Sequence, residues 1–191
     1  MLAYHNDPAL KAALLAEVRR HEEADRIIAG SYGNFSDGKE FRGCAVGCSL
    51  HSLGLVRGHS LDTSDHMLFE TEAGVPVILA RLQDIIFEGL LPEDRREFPR
   101  RFWESINPGA DLSTVGWKFL YWLLTQSGLG AYDHPLVRKA VKECADVLAP
   151  LTNGELVENS AAESAARSAA SAARSAAWRK MADKLIELLN V

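Results

Sequence analysis

The sequence predicts an all-α protein, a single-domain bundle of about seven helices that ends in a long Ala/Ser-rich helix. Three observations predict this fold. No segment alternates strictly between apolar and polar residues, and β-branched residues do not gather in runs. Proline and glycine instead separate stretches in which apolar residues recur every three to four positions, which is the period of a helix. A chain of 191 residues can bury such a core without disulfides or metal.

The first helix is predicted over residues 8–29. Asp7 can cap its N-terminus, and Pro8 suits the first helical position. Two polar residues, His21 and Asp25, interrupt the apolar seam of this helix. The seam therefore predicts a polar site within a surface that otherwise faces the core.

Residues 31–63 are rich in glycine and are predicted to be irregular. Within them, the stretch CAVGCSLHSLGLV favours a short helix near residues 44–53. Gly47 and Gly54 lower the expected stability of this helix, because glycine in a helix interior is destabilising.

Caps and prolines predict five further helices in the part of the chain that precedes Pro150. Ser64, Asp111 and Asp133 supply capping side chains, and Pro76 opens the helix with a regular core stripe. The five helices are predicted over residues 64–74, 76–90, 93–106, 112–126 and 135–149.

Residues 155–191 are predicted to form a long C-terminal helix, packed on a core domain of residues 1–154 or on a partner. Serines recur every three to four positions in its first part, and alanines form a smooth face beside them. The face opposite the alanines is strongly apolar later in the helix, where its residues are Met181, Leu185, Ile186, Leu188 and Leu189. One straight helix cannot bury both faces against one surface. The apolar face is therefore predicted to meet another subunit, as in a homodimer, unless the helix kinks or turns its Ser/Arg edge inward.

Composition and charge do not indicate nucleic acid or a membrane as a partner. The formal net charge is −5, and Lys and Arg are scattered along the chain. The longest strongly apolar run is too short to cross a bilayer. The N-terminus also lacks the charged and then apolar pattern of a signal peptide, so a cytoplasmic location is predicted. Three cysteines are an odd number and too few for a disulfide scaffold, so reduced thiols are predicted.

The first candidate site lies in RRHEEADRI. His21 and Asp25 are four residues apart on one helical face, with Glu22 at its edge, so they can hydrogen-bond or bind one ion together. One interpretation is half of a metal site or a His/carboxylate acid–base pair. The other is a partly buried histidine that is satisfied by its own aspartate.

The second candidate site lies in GCAVGCSLHS. Cys44, Cys48 and His51 share one face if the segment is helical, and thiolate and imidazole are ligands that zinc prefers. A fourth ligand is expected from the residues that follow, where the candidates are His59, Asp62, Asp65 and His66. Two alternatives stay open: Cys48 is a nucleophile activated by a histidine, or both cysteines are packed in the core.

The motif GCAVGCSLHS, the later stretch ETEAGVPVILARLQDIIFEGL and the Ala/Ser/Arg-rich tail together resemble a set of uncharacterised bacterial and prophage helical proteins. That set has no known activity, so the resemblance implies a helical fold and no reaction. The alanine-rich tail alone is similar to helical proteins proposed as immunity proteins against toxins, which implies an interaction role.

The sequence supports two functions. The first, which the sequence favours over an enzyme without deciding the question, is a small cytoplasmic binding or interaction protein, phage- or immunity-related, that self-associates through its C-terminal helix. It rests on the two-faced helix and on the lack of a recognisable catalytic motif. The alternative is a metal- or cysteine-dependent enzyme. Its catalytic candidates are His21, Glu22, Asp25 and Cys48, and its candidate ligands for a metal such as zinc are Cys44, Cys48, His51 and His66.

Overall fold

The computed structural model describes residues 1–36, 40–125, 135–156 and 178–190. These residues form one helical domain with a single small antiparallel sheet, which confirms the predicted all-α fold. The helices are α1 (Pro8–Glu23), α2 (Ala45–Arg57), α3 (Leu68–Ala73), α4 (Val77–Gly89), α5 (Pro92–Arg95), α6 (Phe98–Ser105), α7 (Val115–Thr125), α8 (Pro135–Leu148) and α9 (Trp178–Leu189). The sheet is a hairpin of β1 (Asn34–Ser36) and β2 (Glu40–Arg42), and short 3-10 turns span Ala3–Asn6 and Pro150–Asn153.

The first helix begins at its predicted cap, Asp7, and ends at Glu23, which is earlier than predicted. Asp25 turns the backbone with a left-handed φ of 53°, and the chain then leaves the helix axis. The N–H of Ile28 donates to the carbonyl of Gly43 at 2.8 Å. A backbone pairing with a distant segment therefore ends the helix, and local periodicity carries no signal of such a pairing.

The glycine-rich segment, predicted to be irregular, contains the hairpin and all of α2, which is 13 residues long. A side chain at Gly47 would overlap the carbonyl of Tyr32, which crosses the helix there. Gly58 ends α2 in a left-handed conformation with φ of 77°, the usual role of glycine after a helix. These glycines serve a close approach and a cap, so they do not break the helix.

The core is built around α2, which packs against α1, α3, α4 and α6. The Nε1–H of Trp103 in α6 donates to the Ser49 hydroxyl of α2 at 2.8 Å. The hydroxyl of Tyr4 donates to the Trp103 carbonyl at 2.6 Å. All three side chains are fully buried, so these bonds satisfy polar groups that water cannot reach and join the N-terminal turn to α2 and α6.

The apolar face of the C-terminal helix packs on the chain itself, so its predicted role as a face for a partner is wrong. Met181, Leu185 and Leu189 are buried, and α9 packs against α4, α6 and α7. Ile186 and Leu188 are partly buried against the same core. The reason is that these five side chains supply the apolar cover that α7 and α6 need. The serine line and alanine face over 160–177 lie outside the described residues.

Among the described residues, no helix has both the length and the apolar character that crossing a membrane requires. The thiols of Cys44, Cys48 and Cys144 are free, as predicted.

Truncating Leu189 to alanine is expected to lower the free energy of unfolding by about 2 kcal/mol, because it leaves a gap between α9 and the core near a helix end that can partly relax. Urea unfolding measures this change. The matched control is Asn190→Ala, which removes an exposed side chain on the next residue and should change stability by less than about 0.5 kcal/mol. Equal effects of the two variants would show that the C-terminal face is not packed as described.

Candidate functional site

Several segments meet at the N-terminus of α2. Cys44 caps this helix, and its sulfur accepts a hydrogen bond from the N–H of Gly47 at 3.5 Å. The segment before β1 crosses over the same turn, where the Cys44 N–H donates to the Ser31 carbonyl at 2.7 Å. Because Gly47 has no side chain, the Tyr32 backbone lies directly against the helix. The fold thus holds Tyr32 beside the Cys44 thiol.

Helix α4 brings two carboxylates to this thiol. Asp84 and Glu88 are four residues apart and so lie on one face of α4. The Cys44 thiol donates to Asp84 Oδ1 at 3.7 Å, and both Glu88 oxygens accept from the Gly30 N–H at 3.0 Å. The ligand atoms of Cys44, Asp84 and Glu88 all lie within 4.8 Å of one another. They border a cavity of about 310 Å³ that Gly30, Ser31 and Tyr32 complete.

Asp84 is the centre of the hydrogen bonds at this site. Its Oδ2 accepts from the Tyr32 hydroxyl at 2.8 Å, and the His66 Nε2 lies 3.2 Å from the same oxygen. The Asp84 and His66 side chains are each 17% exposed. Tyr32 and His66 also meet edge to face, with ring centroids 5.6 Å apart. The Asp84 carboxylate is therefore fixed by donors from two different segments.

The protonation states of Asp84 and Cys44 are set by their burial and by the polar and charged groups around them. Burial acts to raise the pKa of Asp84, but the hydrogen bonds from His66 and Tyr32 outweigh it and the pKa falls below its usual range. Burial raises the pKa of the Cys44 thiol to about 12, with further contributions from the Asp84 and Glu88 charges. At neutral pH the site thus holds an ionised Asp84 beside a neutral thiol.

The chain matches no family model, no curated protein and no solved structure.

The four predicted zinc ligands lie at three different places in the structure. Cys44 and His66 both bond Asp84 at the site above. Cys48 is buried one turn further along α2, where its thiol donates to the Gly43 carbonyl at 3.3 Å. His51 lies with His21, as described below. Of the four predicted ligands, Cys44 therefore lines the candidate site and His66 contacts it through Asp84.

The structure gives Cys48 no feature of an activated nucleophile. Burial raises the pKa of its thiol to about 12. Its thiol donates hydrogen bonds to the backbone carbonyls of Gly43 and Arg26, which are too weakly basic to take the proton away and form a thiolate. This arrangement favours the alternative of a packed cysteine.

The predicted polar cluster of His21, Glu22 and Asp25, at the end of α1, does not make the hydrogen bonds that the sequence led us to expect. His21 is 2% exposed, and its Nε2 lies 3.1 Å from Nδ1 of His51. Its Nδ1 is buried without a hydrogen-bond partner, so it makes no bond with Asp25. Glu22 accepts from Nε of Arg100 at 2.7 Å and thereby joins α1 to α6. His21 and Asp25 therefore do not form the predicted acid–base pair.

Sequence reasoning missed Tyr32, Asp84 and Glu88. The two carboxylates had a detectable signal, since they recur at a helical interval in the otherwise apolar stretch PVILARLQDIIFEGL. Tyr32 had none, because it comes to the site through the crossing of its backbone over Gly47.

Proposed function

We propose that this protein binds a divalent transition-metal ion through Cys44, Asp84 and Glu88, and that zinc is the ion that fits best. The observation that carries the proposal is the meeting of these three ligand atoms within 4.8 Å of one another. Among the described residues, no other set of three or more His, Cys, Asp or Glu side chains is placed in this way.

The donor set matches the chemistry of zinc. Thiolate and carboxylate are both zinc ligands, with bonds of about 2.3 Å to sulfur and about 2.0 to 2.2 Å to oxygen. Ligand atoms around a tetrahedral zinc lie about 3.5 Å apart. Separations of up to 4.8 Å therefore close by small side-chain rotations. His66 and Tyr32 then act as the partners that orient the Asp84 carboxylate, a role that metal-bound carboxylates usually require.

The charges at the site also favour a cation. Asp84 and Glu88 help to keep the Cys44 thiol protonated, and the same negative field attracts a divalent ion. Binding then displaces the thiol proton, so affinity should rise with pH. Three protein ligands leave one tetrahedral position toward the cavity of about 310 Å³, where a water molecule or a substrate oxygen fits. This is the coordination of a metal-dependent enzyme, the alternative function that the sequence supports.

Cobalt(II) binding provides the test, because a cobalt–thiolate bond gives a near-ultraviolet absorption band. The wild-type chain is expected to show this band and to release cobalt to zinc. Cys44→Ser should abolish the band. The matched control is Cys48→Ser, which removes a buried thiol one turn along the same helix and should leave the band unchanged.

Two further variants separate ligands from orienting residues. Asp84→Asn is expected to remove measurable zinc binding by calorimetry, whereas His66→Ala should weaken it by about 10- to 100-fold. The proposal is overturned if the metal band survives Cys44→Ser, if it depends on Cys48 instead, or if the wild-type chain binds neither ion.

The function placed first by the sequence, self-association through the C-terminal helix, has lost its main argument. Its apolar face, represented by Met181, Leu185 and Leu189, is buried in the same chain. The metal proposal does not depend on this face.

A further inference from the structure

A second cavity, of about 520 Å³, lies between the β1–β2 hairpin and the C-terminal half of α2. Two apolar side chains on its border are open to solvent, Phe35 at 61% exposure and Leu55 at 55%. The described residues that line it include no Asp, Glu, Lys or Arg. Its volume falls in the range of small-molecule sites. We refer to this cavity as the aromatic cleft.

One wall of the aromatic cleft is made of flat rings. Phe41 and His51 stack with centroids 4.2 Å apart and planes inclined by 2°. Phe35 meets Phe41 edge to face at 5.6 Å. A side chain at Gly33 would overlap the Phe41 ring, so the bare backbone of Gly33 holds that ring in place. Because Phe41 is only 4% exposed, the rings open to a planar apolar ligand are the exposed Phe35 and the half-buried His51.

His51 also presents a polar group to the aromatic cleft. Its Nδ1 lies 3.1 Å from Nε2 of the buried His21. Burial holds the pKa of His21 down at about 4 and also lowers the pKa of His51, so both rings are neutral at pH 7. Each neutral ring carries one N–H.

The unpartnered Nδ1 of His21 fixes where these two protons lie. A buried N–H without an acceptor costs more than a buried lone pair without a donor, so His21 keeps its proton on Nε2 and donates it to His51. The His51 proton must then sit on Nε2, on the side of the ring away from His21. No described residue accepts a hydrogen bond from this Nε2–H.

We propose that the aromatic cleft binds a small, uncharged, planar aromatic molecule that accepts a hydrogen bond from His51 Nε2. The accessible rings of Phe35 and His51, the latter held by its stacking on the buried Phe41, select a flat apolar body. The absence of charged side chains among the described lining residues selects against ions. The His51 N–H favours a ligand that carries a ring nitrogen or a carbonyl oxygen over a plain hydrocarbon, and Asn34, His59, Ser60 and Thr63 add further polar groups to the lining. This site shares no ligand residue with the proposed metal centre, so either can fail without the other.

Quinoline and naphthalene test the proposal, because they have the same shape and differ in one acceptor nitrogen. At a pH above neutral, where quinoline is uncharged, it should bind the wild-type chain about 5-fold more tightly than naphthalene, as one neutral hydrogen bond provides. Ligand-observed nuclear magnetic resonance measures both affinities. His51→Phe keeps a stacking ring and removes the donor, so this variant should bind the two probes equally.

Two additional measurements keep the test decisive. In the wild-type chain, quinoline should shift the ring nitrogen resonance of His51 Nε2, which does not require any variant to fold. His59→Ala removes a different histidine from the lining and should preserve the preference for quinoline. Equal binding of both probes by the wild type, a preference that survives His51→Phe, or no binding of either probe would overturn the proposal.

Discussion

Replacing Gly47 with alanine is expected to lower the free energy of unfolding by about 3 kcal/mol and to weaken the proposed metal binding by at least about 10-fold. The added carbon overlaps the Tyr32 carbonyl, which is backbone and cannot rotate away. The whole segment around Tyr32 must shift, so its hydroxyl leaves Asp84 and the bond between Ser31 and Cys44 stretches. Urea unfolding and zinc calorimetry measure the two effects.

The control for this variant is Gly58→Ala at the other end of the same helix. A side chain there meets nothing within 4 Å, and its left-handed φ of 77° costs only about 1 kcal/mol. Zinc affinity should be unchanged in this control. If the two glycine variants behave alike, the close crossing of the Tyr32 segment over α2 is not what holds the site together.

Acid is expected to destabilise the protein through His21. Burial, and then the nearby His51 and Arg26, lower the pKa of His21 from 6.5 to about 4. Between these two pH values the unfolded chain binds a proton at His21 and the folded chain does not. Stability due to a neutral His21 is therefore fully present above pH 6.5 and is lost as the pH falls toward 4. The loss is about 3 kcal/mol at about 1.4 kcal/mol per pH unit.

Urea unfolding of the wild type and of His21→Gln, each across this pH range, isolates the effect. Glutamine fills a similar position and does not titrate, so its stability should fall less, by about 3 kcal/mol, than that of the wild type. Titrating groups away from the contact of His21 with His51 contribute equally to both proteins. Parallel pH profiles would mean that His21 is charged in the folded state or is open to water.

The elements that sequence analysis located well are those defined by local signals. Asp7 and Pro8 start α1, and the apolar stripe that begins at Leu79 marks α4. The elements that it missed depend on distant partners. Strands β1 and β2 have three residues each, too few to show alternation. The end of α1 is set by pairing with Gly43, which lies on another segment.

The candidate site could be predicted only in part for the same reason. Cys44 and His66 were found because their residue types are uncommon and bind metals. Their partners Asp84 and Glu88 are the only carboxylates of α4, and they were not singled out because carboxylates are ordinary on the exposed edge of an amphipathic helix. The direction of each side chain on α2 then decides the rest. Cys48 faces backbone carbonyls and His51 faces His21, although all had been placed on one face with Cys44.

The packing of α9 has a consequence for biosynthesis. This helix bonds to residues far back in the chain, through Arg179 to Asp94 and through Arg101 to Asp183, pairs that are 85 and 82 residues apart. A ribosome therefore releases α4, α6 and α7 long before the helix that covers them. During that interval the nascent chain carries an open apolar groove. We expect this apolar surface to favour aggregation of the nascent chain until α9 emerges and docks.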